Sequence, residues 1–262
     1  MEKSHNYHVL DQPLVLERLF HPRKEMPGRR SKKGRDDVMI EVDRGVEISG
    51  SFYFKSSHAP VILFFHGNGE IVSDYDDLAE YFTDRGLNFF VVEFRGYGRS
   101  SGQPSVTSMM KDCHKILDYL ISYMKNREIK GRLCIMGRSL GSASAIELGV
   151  NSHHDIHCLI IESGFAFVSP LLRILGLDPD TIGYRECPDF ENLDKIKNFS
   201  KPCLVIHAQF DHIIPFSDGI ALYEACHSSN KFLLEIKNAN HNDIFSHGMN
   251  AYLEHVKKIC IT

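Results

Sequence analysis

The chain of 262 residues carries a formal net charge of −4, with 43% hydrophobic and 24% charged residues. That length suits one α/β domain, that composition excludes a disordered chain, and the acidic balance argues against a nucleic-acid-binding surface. The seven cysteines are odd in number and form no C-x-x-C pair, so they suggest neither a zinc site nor a disulfide framework and favour a reducing compartment.

In chain order, residues 1–37 read as an N-terminal segment and polar connector. Met1–Asn6 shows no apolar core of a signal peptide, no stretch approaches the roughly 18 apolar residues of a membrane span, and no lipidation box is evident. The expectation is a cytoplasmic chain. Leu14-Val15-Leu16 and Leu19-Phe20 predict a short amphipathic helix after Pro13, ended by Pro22. Residues 27–37 are basic and polar and read as solvated loop. Their sharper reading is a peripheral membrane contact through residues 14–35, with anionic headgroups as partner.

Residues 38–262 read as the folded domain. Val38–Val42 and Glu47–Phe54 look like an antiparallel pair at a sheet edge. Then apolar strands and helical periodicities alternate. Val61–Phe65 is a strand, Asp74–Arg85 helical by spacing, Asn88–Phe94 a strand and Met109–Lys125 a helix. Leu133–Met136 is a strand, followed by a helix from Leu140 to about Val150, then strands at Cys158–Ile161, Cys203–His207 and Phe232–Ile236. Short apolar strands separated by helices imply a mostly parallel sheet with helices on both faces. Residues 165–200 break the rhythm with Pro170, Gly176, Pro179, Gly183 and Pro188, and read as a short lid. Its apolar members are Phe165, Phe167, Leu171, Leu172, Ile174, Leu175 and Phe190.

Function in such sheets collects at the C-terminal ends of the strands. Gly137-Arg138-Ser139-Leu140-Gly141 is a G-x-S-x-G between an apolar strand and a small-residue helix, the pattern of a nucleophile elbow. Small neighbours permit the strained turn that exposes the Ser139 hydroxyl. His66-Gly67-Asn68-Gly69 follows Val61–Phe65, and its glycines let backbone N–H groups approach a developing negative charge. The N–H groups of Asn68 and Leu140 are therefore the expected oxyanion hole, with Gly67 or Gly69 next in line. Asp211, just past Cys203–His207, is the expected acid, and Glu162 at the end of the preceding strand is its rival. His241, after the last strand, is the expected base. The chain order Ser139, Asp211, His241 is that of an α/β-hydrolase. His247 reads as a helix-surface residue. His153, His154 and His157 sit in a polar connector and make a poor metal site. Gly96-Tyr97-Gly98 lacks the third glycine of a dinucleotide fingerprint. No cofactor or metal is expected.

From about residue 38 to 258 the chain resembles the α/β-hydrolases. The motifs His66–Gly69, Phe94–Gly102 and Gly137–Gly141 are similar to those of Bem46-like serine hydrolases. Phe216–Tyr223 and His241–Ile244 resemble the branch that includes eukaryotic protein depalmitoylases. The resemblance implies a serine esterase or thioesterase using the triad above on a small-molecule or acyl-chain substrate. Those depalmitoylases carry a lipidated N-terminal cysteine cluster, and residues 1–37 here hold no cysteine. A peptidase or acyltransferase would use the same machinery, and a non-catalytic ligand-binding or scaffold protein on this fold is the alternative of another class.

Overall fold

The computed structural model describes residues 7–28, 32–185 and 192–262. Eight strands form one sheet: β1 (Arg35–Asp43), β2 (Val46–Tyr53), β3 (Val61–Phe65), β4 (Asn88–Val92), β5 (Leu133–Arg138), β6 (Cys158–Glu162), β7 (Cys203–Ala208) and β8 (Lys231–Ile236). Their spatial order is β1-β2-β4-β3-β5-β6-β7-β8. β1 and β2 pair antiparallel, β2 joins β4 antiparallel, and every later pairing is parallel. This is the mostly parallel sheet with helices on both faces that the alternation of strands and helices implied, and the α/β-hydrolase fold that the resemblance implied.

Strand parity sorts the interior into two cores, because successive side chains point to opposite faces. On β4, Phe90 and Val92 join one core and Phe89 and Val91 the other. The first core lies under α1 (Pro13–Leu19), α3 (Val106–Asn126), α4 (Gly141–Asn151), α7 (Asn192–Ile196) and α8 (Phe216–Ala225), and the second under α2 (Leu78–Asp84) and α9 (Ile244–Ile261). The central strands β3 to β7 are buried along their length, as strands covered on both sides must be.

Two stretches differ from the periodicity reading. The helix expected over Asp74–Arg85 is split into a 3₁₀ turn at Val72–Tyr75 and α2. Asp76, between them, is drawn toward the sheet: Tyr53 donates to its carboxylate at 2.5 Å and Arg35 at 3.1 Å. Residues 165–200 contain two further short helices, α5 (Val168–Ile174) and α6 (Pro179–Ile182), before α7. Proline at the first position of α6, the Asp178 side chain accepting from Thr181 N–H, and left-handed Gly183 after it bound that single turn. Within this stretch Phe165 and Leu172 are buried and Ile174 is half exposed, while Phe167, Leu171 and Leu175 are partly buried. Phe190 and Cys187 lie outside the described residues.

The N-terminal helix forms where expected, and its apolar face is turned inward. Val15, Leu19 and Phe20 are buried, leaving Leu14 and Met26 exposed. Polar contacts hold the segment down. Asp11 accepts from Val106 N–H at 2.8 Å at the start of α3, and Gln12 donates to Ile182 O at 2.8 Å.

Candidate active site

The elbow is built from backbone constraints. Ser139 has φ 50°, a left-handed conformation that costs a non-glycine residue about 1–3 kcal/mol. It is held there by Ser139 N–H donating to Glu162 O at 2.9 Å and by Ser142 Oγ donating to Ser139 O at 2.6 Å. The flanking glycines answer close approaches. A Cβ on Gly141 would meet the carbonyl oxygens of Phe65 and His66, and one on Gly137 would meet Gly141 O and the Ala145 methyl. Only glycine lets α4 start this close to the end of β3.

Parallel pairing of Phe65 with Gly137 places the His66–Gly69 loop beside the elbow. Among the described residues, neither the Asn68 nor the Leu140 N–H donates to another protein group. Leu140 also stands at the N-terminus of α4, where the helix dipole favours negative charge. The Asn68 carboxamide is engaged elsewhere: its Oδ1 accepts from Tyr97 OH (2.7 Å) and His21 N–H (2.9 Å), and its Nδ2 donates to Leu19 O (2.8 Å). It therefore ties this loop to the N-terminal segment.

Asp211 and His241 are brought together. His241 Nδ1 lies 2.7 Å from Asp211 Oδ2. A carboxylate only accepts, so the proton sits on Nδ1 and Nε2 keeps its lone pair. Asp211 Oδ1 accepts from the N–H groups of Ile213 (3.0 Å) and Ile214 (2.8 Å). Burial would raise the Asp211 carboxyl, but the hydrogen bond and charge of His241 and the Ile214 N–H outweigh it and hold it below the usual carboxylate range. A second imidazole is close, with His207 Nε2 donating to Ile214 O at 2.8 Å and lying 3.5 Å from Asp211 Oδ2. Burial pushes His207 down, toward its neutral form.

Ser139 and His241 are not hydrogen-bonded to each other among the described residues. Contacts of this kind commonly tighten only when substrate is bound. They are nonetheless joined through the residue before the serine. Arg138 Nη2 donates to His241 O at 3.0 Å and to Asn242 Oδ1 at 3.2 Å. The same guanidinium meets Glu162 Oε1 through Nη1 at 3.0 Å and Glu70 Oε1 through Nε at 2.8 Å. Glu162, the rival acid, thus faces Arg138 and accepts from Tyr252 OH at 2.7 Å. Burial raises the Glu162 carboxyl, with the Arg138 charge opposing. Burial also acts to raise Glu70, but the Arg138 charge, followed by the Tyr75 hydrogen bond, overcomes it and takes that carboxyl down to about 2.

Arg138 and Glu70 are residues that motif reading passed over. The signal was present. A charge at the end of an apolar strand must find a partner, and Glu162, its register partner on β6, ends the next strand.

Of the histidines considered for a metal, His154 Nε2 is 2.7 Å from Asp118 Oδ1, His153 is 4.0 Å from the same atom, and His157 meets Arg132 at 3.3 Å. His247 is an exposed residue of α9. Three of the buried cysteines, Cys134, Cys158 and Cys260, gather with Sγ atoms within 4.8 Å of one another at the N-terminal ends of β5 and β6, a grouping that spacing did not reveal.

The family profile described as serine aminopeptidase, S33, matches residues 56–177. The chain is similar to Bem46 of Schizosaccharomyces pombe, 27% identical over 187 residues, which make up 70% of this chain and 62% of that protein. It thus spans less than two thirds of that relative. It is also similar to alpha/beta hydrolase domain-containing protein 17B of Xenopus tropicalis, 30% identical over 235 residues, or 87% of this chain and 76% of that protein. Among solved structures, the Pyrococcus furiosus esterase Pf2001 aligns with a TM-score of 0.72 at 20% identity, covering 91% of this chain and 97% of that one. That likeness is one of fold.

Proposed function

Because the chain belongs to the Bem46-like α/β-hydrolases, we propose that it is a serine hydrolase cleaving an acyl ester or thioester through Ser139, His241 and Asp211. The observation that carries the reading is the 2.7 Å pair of His241 and Asp211, set at the strand edge that also bears the left-handed Ser139. Ser139 Oγ attacks the acyl carbon while His241 Nε2 takes its proton. The tetrahedral oxyanion is held by the N–H groups of Asn68 and Leu140. Collapse expels the alcohol or thiol, which receives the proton from His241, and leaves an acyl-enzyme. Water, deprotonated by His241, then releases the carboxylic acid and frees Ser139. Asp211 holds the imidazole in the required tautomer and stabilises its cation.

The aminopeptidase description of the matching profile favours a second reading, amide hydrolysis by the same groups. The buried free thiols fit a reducing, cytoplasmic setting. Among the described residues no helix is long and apolar enough to cross a membrane, and exposed Leu14 and Met26 are the residues through which the 14–35 stretch would touch one.

Fluorophosphonate labelling of the full chain tests the reading, followed by rates on matched p-nitrophenyl esters, acyl thioesters and aminoacyl anilides. Wild-type protein should label and turn over esters or thioesters. Ser139→Ala should lose the label and about 10⁴–10⁶ in turnover, the range for removal of such a nucleophile. Undiminished labelling in that variant would overturn the assignment, and preference for the anilides would favour the peptidase.

A further inference from the structure

We infer that Arg138 is a positioning residue that fixes the backbone of His241 relative to the elbow, and so sets where the imidazole Nε2 sits over Ser139. The inference rests on the triad reading above and adds to it a second restraint on the base.

Asp211 holds His241 only by its side chain, through Nδ1. An imidazole held at one nitrogen can still swing with its backbone. The His241 N–H donates to Asn240 Oδ1 at 2.8 Å within its own loop, and Arg138 supplies the fixed point from the sheet, because its Nη2 donates to His241 O and to Asn242 Oδ1. Arg138 is itself the residue before Ser139, so the guanidinium links nucleophile and base across a short covalent path. Its remaining nitrogens anchor it in the plane. Nη1 meets Glu162 Oε1, and the Glu162 carbonyl receives the Ser139 N–H. Nε meets Glu70 Oε1, while Glu70 Oε2 accepts the Gly67 N–H at 2.6 Å beside Asn68 and the Tyr75 hydroxyl at 2.5 Å. One rigid fork thus ties the elbow to the His241 loop and, through Glu70, to the loop that carries Asn68.

Stability alone does not call for this arrangement. A cation buried between two carboxylates pays desolvation that packed apolar groups would avoid. The fork geometry gives direction, which lysine, a point donor on a flexible stem, cannot reproduce. A cavity of about 170 Å³ between α2 and α9 is lined by Arg138, Glu70, Glu162 and His241. The space vacated by a truncated Arg138 would be continuous with it.

That continuity permits chemical rescue. In Arg138→Ala, kcat on a p-nitrophenyl ester should fall about 10²-fold with KM nearly unchanged, as expected when a reacting group is misplaced by about 1 Å. Guanidinium ion below denaturing concentration should restore at least a tenth of the loss, and sodium or tetramethylammonium at equal ionic strength should not. Arg138→Lys keeps the cation and guards against a variant that fails to fold; it should remain well below wild type. The second readout is the proton resonance of the His241 Nδ1–H in ¹⁵N-histidine-labelled protein. It should broaden and exchange faster in both variants, and recover with guanidinium in Arg138→Ala. The inference is overturned if either folded variant keeps wild-type kcat and an unchanged resonance, or if guanidinium acts no differently from the other salts. If the wild-type protein neither labels nor hydrolyses esters, the hydrolase reading fails separately, and the resonance alone decides whether Arg138 fixes His241.

Discussion

Replacing Asp211 by Asn changes one atom and reverses one hydrogen bond. The asparagine must choose between two orientations. In the first, its oxygen keeps the Ile213 and Ile214 N–H groups at 3.0 and 2.8 Å, and its NH₂ takes the place of Oδ2, facing His241 Nδ1 at 2.7 Å. In the second, the oxygen faces His241 and the NH₂ abuts two backbone N–H donors. The second leaves those donors and the amide N–H groups unpaired in a buried site, at about 1–3 kcal/mol for each lost partner. The first orientation therefore wins, and it forces His241 to accept at Nδ1. The ring proton then moves to Nε2, where the proposed base needs a lone pair. His207 Nε2, 3.5 Å from Asp211 Oδ2, already donates to Ile214 O and offers no acceptor to the amide.

The expected loss is about 10³–10⁴ in kcat, equivalent to roughly 4–5.5 kcal/mol of barrier. KM should hardly change, because the tautomer matters only in the chemical step. Saturation kinetics on p-nitrophenyl butyrate, with circular dichroism to confirm folding, give the number. Glu162→Gln is the paired control. Its carboxylate faces Arg138 and Tyr252, and a glutamine oxygen still meets the guanidinium, so the loss should stay within about tenfold. A folded Asp211→Asn enzyme within tenfold of wild type, or the reverse ranking of the two variants, would refute the assignment of the acid.

Gly141→Ala should destabilise the chain by about 1–3 kcal/mol or more in urea unfolding, because its Cβ meets the backbone oxygens of Phe65 and His66 rather than yielding side-chain ends. An unchanged midpoint would show that α4 can shift. The Glu70 carboxyl sits at about 2 in the folded chain against about 4.3 unfolded, so its contribution is complete above about pH 4.3 and lost as pH falls toward 2. Urea midpoints should therefore drop between pH 5 and pH 3, and Glu70→Gln should flatten that drop. On p-nitrophenyl esters, kcat/KM should rise from acetyl to medium chains by up to about fourfold per methylene, from about 0.8 kcal/mol of burial each. Faster acetate turnover would mean that the partly buried residues Phe167, Leu171 and Leu175 exclude the chain.

What could be read in the sequence was what local chemistry dictates. The apolar strands and the long periodic helix α3 needed no tertiary information, and the sheet follows from their alternation. The elbow glycines announce a turn because their steric reason lies within five residues. The pairing of Asp211 with His241 depends on two strand ends meeting, and chain order sufficed to nominate both. Other features are non-local. The break before α2 comes from Tyr53 and Arg35 pulling on Asp76 across more than twenty residues. The short helices after residue 165 carry too few turns for periodicity to show. Residues 1–37 read as a segment apart from the folded domain, with one short amphipathic helix, yet Asp11, Gln12 and Leu19 bond to partners far along the chain.

Arg138 shows why the support of a site is harder to read than the site. On β5, Cys134, Met136 and Arg138 share one face by parity, so the strand runs from thiol to thioether to guanidinium along a single line. At its first end that face meets Cys158 and Cys260, where packing suffices. At its last end the same face meets Glu162 and Glu70. The left-handed Ser139 directly follows Arg138, whose charge is buried against Glu162 and Glu70, so the costly conformation and the costly desolvation fall on one edge. Both persist only because the surrounding sheet over-determines them. It follows that Arg138→Lys, which keeps the buried charge but loses the fork, should alter geometry before it unfolds the chain.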